Sequence, residues 1–281
     1  MGALRGKNVL LTGASAGIGE ALAVELARRG ANLALLARRK ERLDAVAERV
    51  EGSGVRVVPI VADVRRPEDL RTAVERVHET LGLVDVAIAN AGFAVSGDVS
   101  KLSVEDFHRQ FDTNVFGVLH TLYACLDDLK RTKGRFVVVG SVAGHVSTVG
   151  AAAYSMSKFA VRALSEALYV ELARHSVGVT LISPGFVESE LRFKDNVEKI
   201  HTDAKDPAPA FLVMSRDRAA RIMAKAIERG AREKIVTLHG RLIVFLVNHF
   251  RGPLLRLMRV LARSSRFNRA PRAPLGRADP E

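Results

Sequence analysis

Tyr154 and Lys158, four residues apart, are the side chains whose types and spacing best fit proton transfer. On a helix that spacing puts them on one face, one turn apart. A free phenol has a pKa of about 10 and exchanges protons poorly at neutral pH, but a neighbouring ammonium group favours the phenolate and lowers that pKa. Ser141, thirteen residues before Tyr154, would hydrogen-bond the oxygen atom that gains or loses the proton. The three side chains predict acid–base chemistry on a carbonyl or alcohol oxygen.

A glycine-rich turn near the start of the chain predicts where a phosphate-bearing ligand would bind. Gly13, Gly17 and Gly19 follow an apolar run and open a helical pattern, with Ser15 and Ile18 between them. Without Cβ atoms the backbone can turn tightly and approach a pyrophosphate, which the N–H groups and positive dipole end of the helix attract. Because a strand precedes the motif and a helix follows it, it predicts a dinucleotide site.

The residues after the second apolar run indicate which dinucleotide would bind. An NAD site of this kind places a carboxylate there to hold the adenosine ribose hydroxyls. This chain has Ala37 followed by Arg38. A carboxylate would repel a 2′-phosphate, whereas a guanidinium can donate two hydrogen bonds to it. Arg38 therefore favours NADP(H) over NAD(H), while Arg39 and Lys40 are equally well explained as the solvated first turn of a helix.

The elements that must position these residues alternate between short apolar runs and amphipathic helical patterns. The predicted strands cover residues 8–11, 33–37, 55–61, 84–89, 136–139, 177–182 and 234–238. The predicted helices cover residues 18–29, 39–50, 67–81, 104–130, 153–175 and 215–229. This alternation indicates an α/β fold with one doubly wound, Rossmann-type parallel sheet flanked by helices on both faces. It would fill residues 1–238 as a single domain, with a polar insert at 188–214 that lines the substrate site.

Taken in order, the glycine turn, an Asn90-Ala91-Gly92 sequence after the fourth strand, Ser141 and the Tyr154–Lys158 pair resemble the short-chain dehydrogenase/reductase family over residues 6–238. The resemblance implies an oxidoreductase that interconverts a ketone and a secondary alcohol with a nicotinamide cofactor. It also implies a homodimer or homotetramer. A catalytically silent cofactor-binding sensor or scaffold is one alternative, although the intact reaction centre argues against it. A peripheral membrane-binding module formed by the C-terminal extension is another.

The resemblance extends to residues beyond the motifs themselves. It implies that Asp63 contacts the adenine, that Lys158 also binds the nicotinamide ribose, and that Asn114 supports a water that relays protons to Lys158. The predicted catalytic residues are Asn114, Ser141, Tyr154 and Lys158. The predicted cofactor contacts, which lie at strand ends or in the turns after them, are Gly13, Ser15, Gly17, Ile18, Gly19, Arg38, Asp63, Val64, Asn90, Ala91, Gly92, Tyr154, Lys158, Pro184 and Gly185.

Composition narrows the remaining possibilities. Of the 281 residues 48% are hydrophobic and 26% charged, which is ordinary for a globular protein, and the one cysteine, Cys125, lies in an apolar helical stretch and is predicted to fill the core. No convincing metal-ligand spacing, signal peptide or membrane-spanning run is visible, so a cytoplasmic protein is expected.

The predicted pocket walls at 93–96, 143–151 and 186–214 carry apolar side chains such as Val146 and Phe186. They predict a small apolar substrate with a lipid-like or steroid-like frame.

The C-terminal extension carries much of the net charge of +12. After residue 238 the chain has nine arginines and two acidic residues, a local charge of +7. Residues 239–265 predict a basic amphipathic helix, and residues 266–281 a disordered tail. The helix fits peripheral contact with an anionic membrane surface, on the inner face of a membrane, and fits equally well packing on the domain or at a subunit interface. Nucleic acid is a weaker interpretation, because aliphatic rather than stacking aromatic residues accompany the charges.

Overall fold

Seven parallel strands form one sheet. The computed structural model describes residues 3–190, 196 and 208–263. The strands are β1 (Asn8–Thr12), β2 (Asn32–Ala37), β3 (Val57–Val61), β4 (Val86–Ala89), β5 (Arg135–Val139), β6 (Gly178–Ser183) and β7 (Glu233–Ile235). Their order across the sheet is β3-β2-β1-β4-β5-β6-β7, and every neighbouring pair is parallel. The predicted doubly wound α/β fold is confirmed.

Helices cover both faces of this sheet. They are α1 (Gly17–Arg28), α2 (Lys40–Glu51), α3 (Pro67–Thr80), α4 (Val104–Phe111), α5 (Gly117–Thr132), α6 (Ala152–Glu171), α7 (Arg216–Glu228) and α8 (Leu238–Ala262). Leu10 and Leu11, neighbours in β1, are both fully buried. Leu11 joins the core beneath α1, α2 and α7, and Leu10 joins the core beneath α3, α5 and α6. The continuous apolar run in the middle of β1 is therefore explained by burial on both faces.

The strand order reverses at β1, which pairs with β2 on one side and β4 on the other. In an open parallel sheet, ligands bind beyond the carboxyl ends of the strands at such a reversal. The glycine turn follows β1 there, Asn90 follows β4, and Ser141 follows β5. Residues far apart in the sequence are thus brought to one edge of the sheet.

The predicted single helix at 104–130 is wrong in one respect. α4 and α5 are joined by a π-helical turn at Asp112–Phe116, with Asn114 at its centre. The apolar spacing continues through this turn, so hydrophobic periodicity cannot reveal it. π-helical turns are rare in proteins, and those that occur often lie at functional sites.

The C-terminal extension forms α8, which begins one residue earlier than predicted. Thr237, expected in the last strand, instead accepts a hydrogen bond from the N–H of Gly240 and caps the helix. α8 is kinked at Phe250, whose φ is −131° and ψ 34°, three residues before Pro253. In the described part of the chain, no helix is long and apolar enough to cross a membrane. The predicted tail at 266–281 lies outside the described residues.

The two ends of the predicted insert at 188–214 lie side by side, because Val187 and Met214 form a parallel bridge. Of its middle, residues 191–195 and 197–207 lie outside the described residues. Asn196 exchanges two hydrogen bonds with the backbone of Ser96, at 2.9 and 3.0 Å. This pair of contacts connects the insert to the predicted pocket wall at 93–96.

Candidate active site

The glycine turn folds tightly against the end of β4. Gly13 has a φ of 66°, and a Cβ there would lie 2.8 Å from the Cα of Ala91. A Cβ on Gly19 would lie 2.1 Å from the carbonyl oxygen of Gly13. α1 begins at Gly17, and Ala16 before it has no side chain that could cap the helix. The turn therefore has the tight backbone and the helix start that a phosphate group requires.

Thr12 and Asn90 tie the ends of β1 and β4 together. The Thr12 hydroxyl accepts hydrogen bonds from the N–H groups of Asn90 and Ala91, at 3.0 and 3.1 Å. The Asn90 amide donates to the carbonyl oxygens of Thr12 and Gly13, at 2.9 and 3.2 Å. The structure thus brings Asn90, Ala91 and Gly92 beside the glycine turn, as predicted. Thr12 was missed, although a polar residue at the end of an apolar strand was a visible signal.

Two predicted cofactor contacts direct their side chains into the protein. Ile18 packs against the core beneath α1, and Val64 is buried in the core on the other face of the sheet. The carbonyl oxygen of Val64 lies 2.9 Å from Nδ1 of His120 on α5. At both positions the side chain fixes the local backbone, which leaves backbone atoms as the groups that a ligand could contact.

Asp63 and Arg38 face each other at the ends of β3 and β2. Burial alone would raise the pKa of Asp63, but hydrogen bonds from Arg65 and the charges of Arg65 and Arg38 bring it below its ordinary value. Asp63 is therefore a carboxylate at neutral pH. It is held by an ion pair with Arg65 at 2.5 Å, which fixes the side chain in place for the predicted contact.

Arg39 lies closer to the glycine turn than the sequence indicated. Its guanidinium is 3.5 Å from the Ser15 hydroxyl and 3.6 Å from the Glu190 carboxylate. Glu190 belongs to the insert and also pairs with Arg42 on α2, at 2.6 Å. Arg39 is thus part of the cofactor region, whereas Lys40 pairs with Asp44 one turn along α2 as the solvated-helix interpretation expected.

Tyr154 and Lys158 occupy one face of α6, with the Lys158 ammonium 5.7 Å from the centre of the Tyr154 ring. Lys158 is only 6% exposed, and its Nζ donates a 2.9 Å hydrogen bond to the carbonyl oxygen of Val139 at the end of β5. Burial lowers the pKa of Lys158 to about 8. Burial also raises the pKa of Tyr154, and a hydrogen bond with Ser141 opposes that rise. In the protein without a bound nicotinamide, burial thus outweighs the hydrogen bond, and the lowered Tyr154 pKa expected from Lys158 together with an oxidised nicotinamide stays a prediction.

Ser141 ends β5 and accepts a 3.1 Å hydrogen bond from the N–H of Ala143, which fixes its hydroxyl at the start of a short 3₁₀ turn. His145, four residues on, is buried behind that turn. Its Nε2 lies 3.4 Å from the Ser183 hydroxyl and 3.2 Å from the Glu233 carboxylate. His145 thus joins the turn to β6 and β7.

Asn114 connects the loop after β4 to the catalytic helix. Its amide donates to the carbonyl oxygen of Phe93 at 3.0 Å and to the Ser157 hydroxyl at 3.1 Å, and its Oδ1 accepts from the N–H of Phe93 at 3.1 Å. Ser157 in turn donates to the backbone carbonyl of Tyr154 at 2.7 Å. Both N–H groups of the amide are used inside the protein, so they do not hold the predicted water. The relay to Lys158 stays a prediction.

Pro184 and Gly185, at the end of β6, pack against the start of α8. A Cβ on Gly185 would lie 2.3 Å from the Thr237 hydroxyl and 2.6 Å from Nε2 of His239. His239 accepts a 3.2 Å hydrogen bond from the N–H of Phe186 and stacks on its ring, with the centroids 5.4 Å apart. The extension therefore supports the cofactor edge of the sheet. No local sequence pattern identifies this contact of His239, because Phe186 lies 53 residues earlier in the chain.

The predicted pocket walls divide into buried and exposed residues. Phe93 and Val95 are buried with Ala153 in a small separate core cluster, so they support the wall from behind. Phe186 is 40% exposed and Phe211 86% exposed. Leu191 and Phe193 lie outside the described residues. Among the residues that the structure describes, no group of three His, Cys, Asp or Glu side chains is arranged to hold a metal ion.

Comparison with known proteins agrees with this geometry. The family described as short chain dehydrogenase matches residues 7–199. Oxidoreductase UcpA of Salmonella typhimurium is 36% identical over 232 residues, which cover 82% of this chain and 87% of the relative. An uncharacterized oxidoreductase of Myxococcus xanthus is 36% identical over 228 residues, or 81% and 86% of the two chains.

Solved structures show the same architecture. An alcohol dehydrogenase of the archaeon Thermococcus sibiricus, complexed with 5-hydroxy-NADP, is 32% identical with a TM-score of 0.72, and the match covers 83% of this chain and 95% of that one. A short-chain dehydrogenase from Sphingobium yanoikuyae in complex with NADPH is 30% identical with a TM-score of 0.74, covering 89% and 95%. The protein described here therefore belongs to the short-chain dehydrogenase/reductase family of oxidoreductases.

Proposed function

We propose that the protein is an NADP(H)-dependent oxidoreductase that interconverts a ketone and a secondary alcohol on an apolar, lipid-like or steroid-like substrate. The observation that carries the proposal is the convergence of three groups at the carboxyl end of β5. Tyr154 hydrogen-bonds Ser141, and the buried Lys158 lies beside the Tyr154 ring. Both hydroxyls can contact one substrate oxygen, which is the arrangement that proton transfer to a carbonyl requires.

The chain's own residues supply proton transfer and orientation. A bound nicotinamide supplies or accepts the hydride. In the direction of reduction, Tyr154 donates its phenolic proton to the carbonyl oxygen while Ser141 donates a hydrogen bond to the same atom. The Lys158 ammonium stabilises the tyrosinate that remains. In the direction of oxidation, the tyrosinate removes the proton of the alcohol. One N–H of Lys158 is used by Val139, which leaves two for the ribose contact that the family resemblance implies.

Charge at the end of β2 supports NADP(H) over NAD(H). Ala37 stands where an NAD-binding chain would place a carboxylate, and Arg38 follows it. Arg38 lies close enough to Asp63 to lower the pKa of that carboxyl group, and Arg39 reaches the Ser15 hydroxyl. Two guanidinium groups next to the glycine turn favour a ligand with an additional phosphate. The two structural relatives described above also carry NADP-type cofactors.

The decisive experiment titrates the purified protein with NADPH and NADH, followed by nicotinamide fluorescence, and then adds a panel of apolar ketones. Tyr154→Phe is expected to reduce turnover by about 10²- to 10⁴-fold while NADPH binding is retained. Tyr169→Phe is the matched control, because Tyr169 lies on the same helix, is 47% exposed and only stacks with Arg232. Arg38→Ser should weaken binding of NADPH and leave that of NADH unchanged.

Two results would contradict different parts of the proposal, the cofactor preference and the catalytic activity. Equal or tighter binding of NADH by the unmodified protein would overturn the NADP(H) preference alone. NADPH binding with no turnover on any ketone would favour the sensor or scaffold alternative. The homodimer or homotetramer implied by the family stays a prediction, which light scattering of the same purified protein would test.

A further inference from the structure

A cavity of about 310 Å³ lies between α6, the loop before it and α8. Small-molecule sites in proteins have volumes of about 300 to 1,000 Å³, so this cavity is large enough for one slender ligand. Its walls are mostly apolar and include Val146 from the loop, Phe159 from α6, and Val247 and Leu254 from α8. α8 lies beyond residue 199, where the family match ends. The cavity therefore depends on the C-terminal extension, which supplies its α8 wall.

The cavity is separate from the catalytic face of α6. The α6 residues that line it include Ser155 and Phe159, which are four residues apart and share one helix face. Tyr154 and Lys158 share the neighbouring face, because successive helix residues are rotated by about 100°. None of the four predicted catalytic residues lines the cavity. A ligand bound there would lie next to the reaction centre without occupying it.

Ser155 leaves one polar atom unsatisfied at this cavity. The residue is 3% exposed, and its Oγ has no hydrogen-bond partner within the described part of the chain. Nearly all buried hydroxyl groups in proteins are hydrogen-bonded, because an unpaired one is unfavourable in an apolar environment. Because this Oγ is itself closed to solvent, it adds an unpaired polar atom to the wall behind the cavity.

Among the described residues that line the cavity, Arg251 is the only charged one. Val244 and Val247 are buried and Leu254 is partly buried, so the inward stripe of α8 continues at intervals of three and four residues through position 251. Arg251 itself is exposed, so its aliphatic stem can cover the apolar wall while its guanidinium reaches solvent. Its guanidinium lies 5.9 Å from the centre of the Phe159 ring. In the described ranges no acidic side chain pairs with it, so its charge is available to an anion.

We propose that the α6–α8 cavity binds the alkyl chain of a single-chain amphiphile with an anionic head group, such as an alkyl phosphate. The chain packs among the apolar walls, and the exposed guanidinium of Arg251 binds the head group at the mouth of the cavity. The ligand therefore combines apolar length with one negative charge, which matches the single cation at this site. This site does not depend on the proposed reaction, because it needs neither cofactor nor turnover.

Calorimetric titration of the full-length protein with decyl phosphate, below the concentration at which it forms micelles, tests the proposal. We expect one molecule bound per chain. Decanol and decyltrimethylammonium should bind about fivefold to tenfold more weakly, because each lacks the charge-assisted hydrogen bond to Arg251. Arg251→Gln should lower the affinity for decyl phosphate to that for decanol. Arg256→Gln, which removes a charge from the same helix outside the cavity, should change neither.

A cavity-filling pair of variants tests the position of the alkyl chain. Leu254→Trp should lower the affinity for decyl phosphate and decanol alike by more than about tenfold, because the larger side chain occupies the cavity. Leu257→Trp is the matched control, since Leu257 is 55% exposed and does not line the cavity. Thermal unfolding shows whether Leu254→Trp folds. If it does not, Arg251→Gln decides alone, because Arg251 is at the surface.

Three outcomes would overturn the proposal. The first is no binding of decyl phosphate, or binding that neither Arg251→Gln nor Leu254→Trp weakens. The second is a change in sedimentation on Leu254→Trp without a change in decyl phosphate binding, which would make the cavity a contact between two copies of the chain. The third is binding to vesicles of anionic phospholipid but not to monomeric decyl phosphate, which would assign Arg251 to a membrane surface. NADPH titration of the same samples keeps each outcome separate from the proposed reaction.

Discussion

α6 and α8 line one cavity from opposite sides, yet they bury very different parts of their surfaces. α6 has twenty residues and buries seven of them, among them Ser157 and Lys158. α8 has twenty-five residues and buries only Gly240, Val244 and Val247. The reason is position, because α6 packs on the sheet against β6, whereas α8 lies at the edge of the sheet beside β7 and the turn after Ser141.

Burial decides what each helix can do. In α6 the surroundings fix Lys158 and lower its pKa to about 8. The charge of this single side chain can therefore take part in acid–base chemistry. In α8 most of the polar groups are exposed to solvent. This helix instead presents exposed apolar side chains that a partner could contact. The large apolar side chains that α8 leaves exposed are Leu238, Leu242, Phe245, Phe250, Leu255, Leu257, Val260 and Leu261. Exposed apolar side chains in this number are typical of a helix that takes part in binding.

A pair of leucine truncations gives the largest expected contrast between the two helices. Leu168→Ala in α6 removes a side chain that is 6% exposed and should lower the free energy of unfolding by about 2 to 5 kcal/mol. Leu257→Ala in α8 should change it by less than about 0.5 kcal/mol. Urea denaturation of both variants measures the difference. Equal losses would mean that a partner covers the outer face of α8 in solution.

The pH dependence of stability should isolate the buried lysine of α6. The unfolded chain keeps the Lys158 proton up to a pKa of 10.5, whereas the folded protein releases it at about pH 8. Between these pH values the unfolded state binds more protons, so the free energy of unfolding rises with pH, by about 3 kcal/mol in total. Below pH 8 the burial penalty is constant.

Lys158→Met should lack that rise, because methionine fills a similar volume without a charge. The readout is the difference between the unmodified protein and Lys158→Met in urea denaturation without cofactor, since Tyr154 titrates in both. A pH dependence identical in the two proteins would show that Lys158 keeps its ordinary pKa when buried. In that case α6 and α8 would hold their cations in similar environments.

The sequence predicted the parts of α6 and of the sheet that depend on local patterns. Continuous apolar runs identified all seven strands, and the motifs placed Ser141 and Tyr154 correctly, because short-range spacing determines both. The π turn around Asn114 was not predictable, since apolar periodicity runs through it. Arg39 and His239 were missed because their contacts, with Glu190 and Phe186, join segments far apart in the chain.

The same dependence on contacts between distant segments explains what the sequence did not show about α8. Its amphipathic pattern and its charge were evident in the sequence, but the position of Arg251 beside the cavity was not. That position follows from which face of α8 meets Phe159, and only the folded chain shows it. The expected membrane contact of the outer face stays a prediction, because it depends on a partner rather than on the fold.

Vesicle binding should show the smallest effect and separates the outer face of α8 from its inner one. Arg256 and Arg259 are exposed beside Leu257 and Val260. If this face lies on an anionic membrane, Arg256→Gln and Arg259→Gln should each weaken sedimentation with phosphatidylserine vesicles by about 1 kcal/mol, or roughly fivefold. High salt should weaken binding of the unmodified protein in the same way.

Arg131→Gln on α5 serves as the matched control for charge, because Arg131 is equally exposed but lies away from the extension. It should leave vesicle binding unchanged. If all three variants weaken binding equally, the attraction comes from the net charge of +12 rather than from α8. If the unmodified protein does not bind vesicles, the exposed apolar side chains of α8 must pack on another protein surface, and the difference from α6 would then vanish in the assembled state.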